Sequence, residues 1–346
     1  MTAGSPARSP GDNARSERVG TAQTLAGQIT GGDRRGLAQG ITLVESTRAD
    51  HRVEAAALLD ELLPHTGHAI RIGISGAPGV GKSTFIERFG LHIADHGHRI
   101  AVLAVDPSSA RSGGSILGDK TRMEELARDS RAYIRPSPSG GALGGVARRT
   151  REAMLVCEAA GFDVVLVETV GVGQSEVEVD DMVDVFVLLV SPGGGDELQG
   201  IKRGVTEVAD VVVVTKADGE LLGPAQQAAA DYGHALHLLR PKHDATTATV
   251  LLCSALRNEG ISEVWDAVVA HRDALDQSGE LAVTRGRQAV RWLWAELTDT
   301  LLEEFRARSA VSENVTELER AVAAGQVSPL SAARQLLDLA RDVDHG

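Results

Sequence analysis

The sequence has few cysteines, no long apolar run and a deficit of positive charge, and each absence narrows the class of protein. Only two cysteines, Cys157 and Cys253, occur among 346 residues, both in apolar stretches without a C-x-x-C partner. This pattern predicts buried structural thiols in a reducing compartment. The 35 basic residues are outnumbered by 48 acidic ones, which leaves a net charge of −13. Since nucleic acids and anionic membranes are bound by basic surfaces, we expect neither as a partner.

The apolar runs are all shorter than the roughly 18 residues that a membrane-spanning helix needs. The amino terminus has no apolar signal core, and its Asp12 and Glu17 are uncommon in transit peptides. We therefore expect a cytoplasmic protein. A length of 346 residues with 42% hydrophobic side chains leaves room for one large α/β domain with appended helices, or for two small domains.

A glycine-rich loop at residues 76–84 has the spacing G-x-x-x-x-G-K-S/T. An apolar run precedes it and a helical pattern follows it, which is the strand–loop–helix context of a phosphate-binding loop. The backbone N–H groups of such a loop and the positive end of the following helix bind a polyphosphate. We expect Lys82 to reach the β- and γ-phosphates and Ser83 to bind Mg²⁺. The predicted nucleotide-binding residues of this loop are Gly76, Ala77, Pro78, Gly79, Val80, Gly81, Lys82, Ser83 and Thr84.

Near-continuous apolar runs separated by helical patterns predict a parallel sheet that is buried on both faces. The predicted fold class is α/β, with a doubly wound, mainly parallel sheet and helical extensions at both ends. The runs expected to be strands lie at residues 70–74, 99–105, 164–167, 183–190, 211–214 and 250–253. The predicted organisation is a disordered tail at residues 1–20, a helical amino-terminal extension at 21–66, a nucleotide domain at 67–278 and a helical carboxyl-terminal region at 279–346.

Two short elements after predicted strands indicate that the base of the nucleotide is guanine. Residues 215–218 match the pattern N/T-K-x-D, and the carboxyl ends of strands are where such a sheet binds its ligand. The Asp218 carboxylate can accept hydrogen bonds from N1–H and the 2-amino group of guanine, which adenine does not offer. The stem of Lys216 can lie along the base. The residues predicted to bind the base are Thr215, Lys216, Asp218 and, through a backbone N–H to guanine O6, Ser254, Ala255 and Leu256.

Glu168 and Gly171 stand where many nucleotide hydrolases carry D-x-x-G, directly after the predicted strand 164–167. A carboxylate there can hold Mg²⁺ directly or through water, and the Gly171 N–H can bind a γ-phosphate. Asp106 likewise follows a predicted strand directly. Both acidic residues are therefore expected near the phosphate loop.

From about residue 30 to residue 340 the chain resembles the MeaB/ArgK family of GTPases. The resemblance rests on residues 76–84, 106–109 (DPSS), 113–123 (GGSILGDKTRM) and 168–176 (ETVGVGQSE), of which the last two are long and rare. It implies a homodimeric GTPase that binds GTP and GDP. It also implies a partner, an adenosylcobalamin-dependent acyl-CoA mutase, usually methylmalonyl-CoA mutase, whose cofactor loading the GTPase gates and which it protects from inactivation.

The same resemblance implies roles for three carboxylates. Asp106 and Asp119 fall where the family places its switch I acidic residues, near Mg²⁺ and the γ-phosphate, and Glu168 falls at its switch II carboxylate. The predicted catalytic residues are Lys82, Asp119 and Glu168. The predicted metal ligands are Ser83, Asp106, Asp119 and Glu168.

Two other functions fit parts of the sequence. An ATP-dependent kinase associated with basic amino-acid transport is disfavoured, because Asp218 selects guanine and no acceptor site is recognisable. A metallochaperone GTPase of nickel-enzyme maturation usually carries a long His-rich or Cys/His tract, which this sequence lacks. We interpret His92, His96 and His98 as an exposed helix end rather than a metal site.

Beyond the last predicted strand, an apolar stripe at helical spacing must pack on its own domain or on another chain. Two tryptophans stand beside it, and aromatic residues are enriched in the cores of protein interfaces. Together with the family resemblance, this favours a symmetric homodimer through the carboxyl-terminal helices. The stripe consists of Val290, Leu293, Leu297, Leu301 and Phe305, beside Trp292 and Trp294.

Overall fold

A computed structural model describes residues 10–106, 123–138, 143–169, 175–192 and 207–342. The helices are α1 (Pro10–Thr30), α2 (Arg34–Val44), α3 (Ala49–Leu62), α4 (Lys82–Asp95), α5 (Glu124–Arg128), α6 (Leu143–Ala159), α7 (Ser175–Asp180), α8 (Leu222–Leu238), α9 (Ile261–Ser278), α10 (Glu280–Ala307), α11 (Ser309–Ala323) and α12 (Pro329–Asp342). The strands are β1 (Ile70–Gly76), β2 (Ile100–Asp106), β3 (Ala132–Pro138), β4 (Val164–Thr169), β5 (Val185–Val190), β6 (Val211–Val214) and β7 (Thr249–Leu252).

The strands form one sheet in the order β3-β2-β4-β1-β5-β6-β7, and every neighbouring pair is parallel. β1 is central, with Ile72 opposite Leu166 of β4 and Val185 of β5. The strands β4, β5 and β6 are buried along their whole length, as apolar runs in a parallel sheet should be. The predicted α/β fold is confirmed. Since all strands run the same way, their last residues share one end of the sheet, the carboxyl end, and their first residues share the amino end.

Aromatic packing holds α4 and α9 to each other over the sheet. The ring of Phe85 stacks on that of Phe89 with centroids 5.1 Å apart, and Trp265 of α9 meets Phe89 edge-on at 6.1 Å. Phe85 and Phe89 are fully buried, and each such side chain contributes about 1.5–3 kcal/mol relative to an exposed one. The helix that follows the glycine-rich loop is therefore fixed against the core.

Both cysteines are free and buried, as their apolar neighbours predicted. Burial raises the pKa of the Cys253 thiol to about 12 and moves the pKa of Cys157 in the same direction. Neither side chain therefore offers a reactive thiolate near neutral pH.

The amino-terminal segment differs from its prediction. α1 begins at Pro10, so residues 10–20 are helical where a disordered tail was expected, and residues 1–9 lie outside the described part. Proline suits the first helical position, because the N–H that it lacks has no partner there in any helix. α2 begins after Asp33, whose carboxylate accepts hydrogen bonds from the backbone N–H groups of Arg35 and Gly36.

Strand β3 was not expected, because Arg135, Pro136 and Pro138 interrupt its apolar pattern. It lies at one side of the sheet and pairs with β2. Proline is tolerated on such an edge strand, since the N–H that it lacks is not needed by a second neighbour. The position in the sheet, which the local pattern does not reveal, therefore permits this strand.

Three aspartates at the amino end join neighbouring strands by the same pair of contacts, which we call aspartate clips. Each aspartate stands directly before a strand. Its backbone N–H donates to the carbonyl of one residue in the adjacent strand segment. Its carboxylate accepts a hydrogen bond from the backbone N–H of that same residue. The N–H to carboxylate distances are 2.7 to 2.9 Å. The pairs are Asp163 with Arg99, Asp184 with Arg71 and Asp210 with Phe186.

The chain divides into two compact units between Gln288 and Ala289, within α10 rather than at the predicted residue 279. The first part of α10 belongs to the first unit because Leu281 and Gln288 are buried, and Gln288 Nε2 donates to the Val183 carbonyl at 2.8 Å. In the second unit α11 packs on α12. No helix among the described residues is both long enough and apolar enough to cross a membrane.

Candidate functional site

The glycine-rich loop joins β1 to α4 at the centre of the carboxyl end of the sheet. Gly81 precedes α4 with a φ of 99°, a left-handed conformation that glycine adopts without strain. Gly76 has no room for a side chain, since a Cβ there would lie 2.5 Å from the Leu189 carbonyl oxygen. These two glycines therefore set the path of the loop around the start of α4, where N–H groups and the helix dipole favour an anion.

Lys82 is the first residue of α4, and its side chain lies back over the loop. Its Nζ donates to the carbonyl oxygens of Gly76 at 2.7 Å and Ala77 at 3.3 Å. An ammonium group in this place can exchange carbonyl oxygens for phosphate oxygens, which bind it more strongly because they are charged. Ser83 follows in the first turn of α4 and is half-buried.

Glu168 lies on β4 beside the loop strand, opposite Ile74 of β1 and Ala104 of β2. It is buried, with 7% of its surface exposed. Two buried hydroxyls, Ser75 Oγ and Thr169 Oγ1, have no hydrogen-bond partner within the described ranges. Buried polar atoms are normally paired, so these two mark the carboxyl ends of β1 and β4 as places where a polar ligand is expected.

This part of the sheet suits Mg²⁺. The oxygen ligands that the structure places here are the Ser83 hydroxyl and the Glu168 carboxylate. Mg²⁺ binds such oxygen ligands together with substrate phosphates. The unpaired hydroxyls of Ser75 and Thr169 add oxygen atoms to the same end of the two strands. Asp106 ends β2, but its side chain lies outside the described part, as do the whole of Asp119 and Gly171.

Thr215 and Lys216 connect the predicted base-binding element to the phosphate loop. Thr215 Oγ1 donates to the carbonyls of Val80 at 2.8 Å and Val190 at 3.1 Å, and Lys216 Nζ donates to the Gly79 carbonyl at 2.7 Å. Thr215 is buried, so its hydroxyl holds the loop to the sheet and is not available to a ligand. Lys216 is exposed and extends across the surface between the two elements.

Asp218 accepts a hydrogen bond from the Ser254 hydroxyl. The same hydroxyl accepts the backbone N–H of Arg257 at 3.2 Å, and the Ser254 N–H donates to the Glu259 carbonyl at 2.9 Å. Within the predicted 254–256 element, the Ser254 N–H is therefore already paired, and Ser254 acts on Asp218 through its side chain instead. Ala255 beside it is half-buried, and Leu256 is 83% exposed.

The structure thus brings together the loop, Glu168 and the elements at 215–218 and 254–256. It places beside the loop two hydroxyls that the sequence did not single out, Ser75 and Thr169. Ser75 lies in no recognisable pattern, and its position next to Gly76 is the signal that could have found it. Thr169 lies within the segment 168–176, directly after Glu168, but its hydroxyl was given no role there.

Sequence reasoning also missed a polar cluster at the amino end of the sheet, whose Asp210 and His271 are buried. Lys242 Nζ lies 2.6 Å from Asp180 Oδ1 and 2.8 Å from Asp210 Oδ2, and His243 and His271 lie beside Asp210. Burial lowers the pKa of both histidines and raises that of Asp180 to about 6. These residues are far apart in the chain and match no local motif.

A central parallel sheet with a G-x-x-x-x-G-K-S/T loop between its middle strand and the following helix defines the class of P-loop nucleotide-binding proteins. The family model described as "Methylmalonyl Co-A mutase-associated GTPase MeaB" matches residues 37–310. The chain therefore belongs to the MeaB family of GTPases.

Relatives and a solved structure agree with this assignment. A protein of Caulobacter vibrioides is 56% identical over 314 residues, which are 91% of this chain and 96% of that one. The "Methylmalonic aciduria type A homolog, mitochondrial" of Mus musculus is 51% identical, covering 88% of this chain and 76% of that one. The crystal structure of an "LAO/AO transport system kinase" is 40% identical with a TM-score of 0.72, covering 93% of this chain and 98% of that one.

Proposed function

We propose that this protein binds GTP with Mg²⁺, hydrolyses it to GDP and phosphate, and uses the two nucleotide states to regulate a partner enzyme. The observation that supports the proposal most is the placement of Asp218. Its carboxylate is oriented by the Ser254 hydroxyl, and Lys216 of the same element donates to the phosphate-loop carbonyl of Gly79. A carboxylate held in the same element that contacts the phosphate loop suits the two donors of guanine.

In this mechanism the loop residues 76–84 bind the phosphates through backbone N–H groups, and Lys82 leaves its carbonyl partners for the β- and γ-phosphates. Ser83 and Glu168, together with Asp106 and Asp119, would hold the Mg²⁺, and Gly171 would bind the γ-phosphate. When bound, Mg²⁺ neutralises charge on the phosphates. Water attacks the γ-phosphorus, the bond from the γ-phosphorus to the bridging oxygen breaks, GDP leaves with that oxygen, and the released phosphate keeps the oxygen and the protons of the water.

The partner we propose is an adenosylcobalamin-dependent acyl-CoA mutase, methylmalonyl-CoA mutase above all. The family description and the mouse relative's name both support this choice. Loss of the γ-phosphate would release the loops that bind it, and this conformational change would allow the partner to load its cofactor. The expected compartment is the cytoplasm.

The experiment that tests this function has two arms. Competition of unlabelled nucleotides against a fluorescent GDP should show GTP and GDP displacing it, and ATP failing to do so. Pull-down from the native cell extract, with the protein loaded with GDP or with a non-hydrolysable GTP analogue, should then capture a mutase in a nucleotide-dependent amount. Equal binding of ATP would overturn the guanine assignment and favour the alternative, an ATP-dependent kinase associated with basic amino-acid transport.

We also propose a homodimer through α10. On this helix Leu293, Leu297 and Leu301 recur at a spacing of four residues and are 64%, 42% and 56% exposed. Exposed leucines in line on one helix face favour contact with another chain, since their burial is favourable by about 25 cal/mol per Å². Light scattering at tens of micromolar should report a dimer for the wild type and a monomer for the double variant Leu297→Glu with Leu301→Glu. A monomeric wild type would rule this interface out.

A further inference from the structure

A second polar site lies at the amino end of the sheet, away from the phosphate loop. Asp210 stands directly before β6, whose opposite end leads into Thr215 of the nucleotide site. A cavity of about 560 Å³ opens beside Asp210, between α8, α9 and the segment 239–250. His243 and His271 line the same cavity. The site therefore combines a carboxylate and two imidazoles with an open space next to them.

Three ligand-type atoms converge at this site. Asp210 Oδ1 lies 3.4 Å from His271 Nε2 and 3.8 Å from His243 Nε2. The side chains of Asp210, His243 and His271 are only 2%, 9% and 5% exposed. Neither Nε2 atom has a hydrogen-bond partner among the residues the structure describes. Two buried ring nitrogens thus face one carboxylate oxygen without a hydrogen bond of their own.

In each of these three side chains, the second polar atom, which is not one of the three converging atoms, has a partner. Thr246 Oγ1 lies 3.2 Å from His271 Nδ1, and Glu280 Oε2 lies 3.5 Å from His243 Nδ1. Asp210 Oδ2 accepts hydrogen bonds from Lys242 Nζ and from the backbone N–H of Phe186, both at 2.8 Å. In metal sites such outer partners fix the orientation of each ligand and leave the inner atom for the metal.

We propose that Asp210, His243 and His271 bind a divalent transition-metal cation, for which Zn²⁺ is the reference, through Oδ1 and the two Nε2 atoms. Two imidazoles and one carboxylate favour Zn²⁺ and similar ions over Mg²⁺ and Ca²⁺, which prefer oxygen. Zinc bonds of about 2.0–2.2 Å require ligand atoms that approach each other closely, and the three atoms here all lie within 4.8 Å of one another. All three residues line the cavity, which leaves space beside them for water as a further ligand.

The charges in contact with the site also favour a dication. Asp180, Asp210 and Glu280 contribute three negative charges, and Lys242 contributes one positive charge. With neutral imidazoles the cluster carries a net charge of −2, which a divalent cation compensates. Without a cation, the buried Asp210 has Lys242 as its close cationic partner, and the two ring nitrogens are left without a hydrogen bond.

The test uses the full-length, untagged protein after removal of metals with a chelator. Zn²⁺ is titrated against a chromophoric competing chelator, and Co²⁺ is added separately to record its visible absorption. We expect one ion per chain and the intense Co²⁺ bands of a four- or five-coordinate site. His243→Gln and His271→Gln should each weaken Zn²⁺ binding by more than about 100-fold.

Two matched variants keep the test specific. His96→Gln removes the exposed member of the pair His92–His96, whose rings are 4.2 Å apart, and His237→Gln removes another histidine that lines the cavity. Both should bind Zn²⁺ like the wild type. Should His243→Gln or His271→Gln fail to fold by circular dichroism, Thr246→Ala keeps all three ligands and should weaken binding by about 10-fold.

Three outcomes would overturn the proposal. One is a wild type that fails to compete for Zn²⁺, which would mean that the cluster is a set of hydrogen-bonded side chains without a metal. Another is loss of binding in His96→Gln, which would assign the ion to the pair His92–His96. The third is unchanged binding in folded His243→Gln and His271→Gln proteins. None of these outcomes bears on the nucleotide site, since the readout is the metal itself.

Discussion

The two ends of the sheet use the same kind of side chain in opposite ways. At the carboxyl end, Lys82 donates to the backbone carbonyls of Gly76 and Ala77. At the amino end, Lys242 is bound between the carboxylates of Asp180 and Asp210. A phosphate can replace carbonyl oxygens as the partner of an ammonium group, whereas two carboxylates already compensate its charge.

This difference separates groups that bind the nucleotide from ion pairs that stabilise the fold. The amino end carries the ion pairs Arg71–Glu158 and Asp184–Arg285, in which both carboxylates and Arg71 are buried. Breaking such a pair leaves a charge without its partner in a poorly solvated place. We therefore expect substitutions at the amino end to change stability, and substitutions at the carboxyl end to change nucleotide binding.

Among these substitutions, the largest change in free energy is expected for Asp184→Ala, which should lower the free energy of unfolding. Asp184 accepts hydrogen bonds from the backbone N–H of Arg71 and from Nε and Nη2 of Arg285, at 2.7 to 2.9 Å. Its removal leaves the partly buried guanidinium of Arg285 without a carboxylate, which costs about 3–5 kcal/mol of unfolding free energy. Urea unfolding followed by circular dichroism measures this loss. A loss below about 1 kcal/mol would show that this pair does not stabilise the fold.

The second-largest effect, a loss of nucleotide affinity, is expected for Lys82→Ala at the carboxyl end of the sheet. Loss of a charge that pairs with phosphates should cost about 2–5 kcal/mol of GTP and GDP binding, or roughly 30- to several thousand-fold in Kd. Isothermal titration measures it, and the urea midpoint of the nucleotide-free variant should stay within error of the wild type. Lys242→Ala is the matched control, for which we expect the reverse, a less stable protein with unchanged nucleotide affinity.

A smaller effect is expected for Asp218→Asn, which replaces one carboxylate oxygen by a donor. The variant should lose about 1.5–3 kcal/mol of GTP affinity, because a hydrogen bond to a charged group is worth about that much. It should gain affinity for xanthosine triphosphate, which presents an acceptor where guanine has its 2-amino group. Competition binding with both nucleotides measures the change. If GTP affinity is unaltered, Asp218 does not bind the base.

The smallest effect on stability is expected for Asp163→Ala, which removes the carboxylate contact of the clip between β4 and β2 and keeps its backbone contact. Asp163 is exposed, and its carboxylate accepts a single backbone N–H, that of Arg99, at 2.7 Å. We expect about 1 kcal/mol of lost stability in urea unfolding, the usual contribution of one hydrogen bond. A loss as large as that of Asp184→Ala would mean that the backbone contact, and not the buried ion pair, carries the stabilisation at this end.

The carboxyl end could be predicted from sequence because its residues lie in short, continuous patterns. In the loop 76–84, glycines set the turn and Lys82 supplies the charge, and the 215–218 element carries its base-binding carboxylate, Asp218, at its fourth residue. The role of Ser254 could not be predicted in the same way. Its hydroxyl contacts Asp218 only because β6 and β7 are neighbours in the sheet.

The amino end could not be predicted, because each of its contacts joins distant parts of the chain. Asp210 and His271 meet only once α9 is packed on the sheet, and a single histidine on a helix carries no signal of its own. The same reason explains β3, whose Pro136 and Pro138 argue against a strand unless its place beside β2 is known. Predictions of this kind need the order of strands, which periodicity does not provide.

The aspartate clips also constrain how the strands can align. Each clip uses both the N–H and the carbonyl of one residue on the adjacent strand segment, so a strand shifted by one position would lose both bonds at once. Such a shift would leave the carboxylates of Asp184 and Asp210 buried without that N–H. In a parallel sheet no tight hairpin sets the register of neighbouring strands. These aspartates therefore favour the observed register over one that is shifted by one residue.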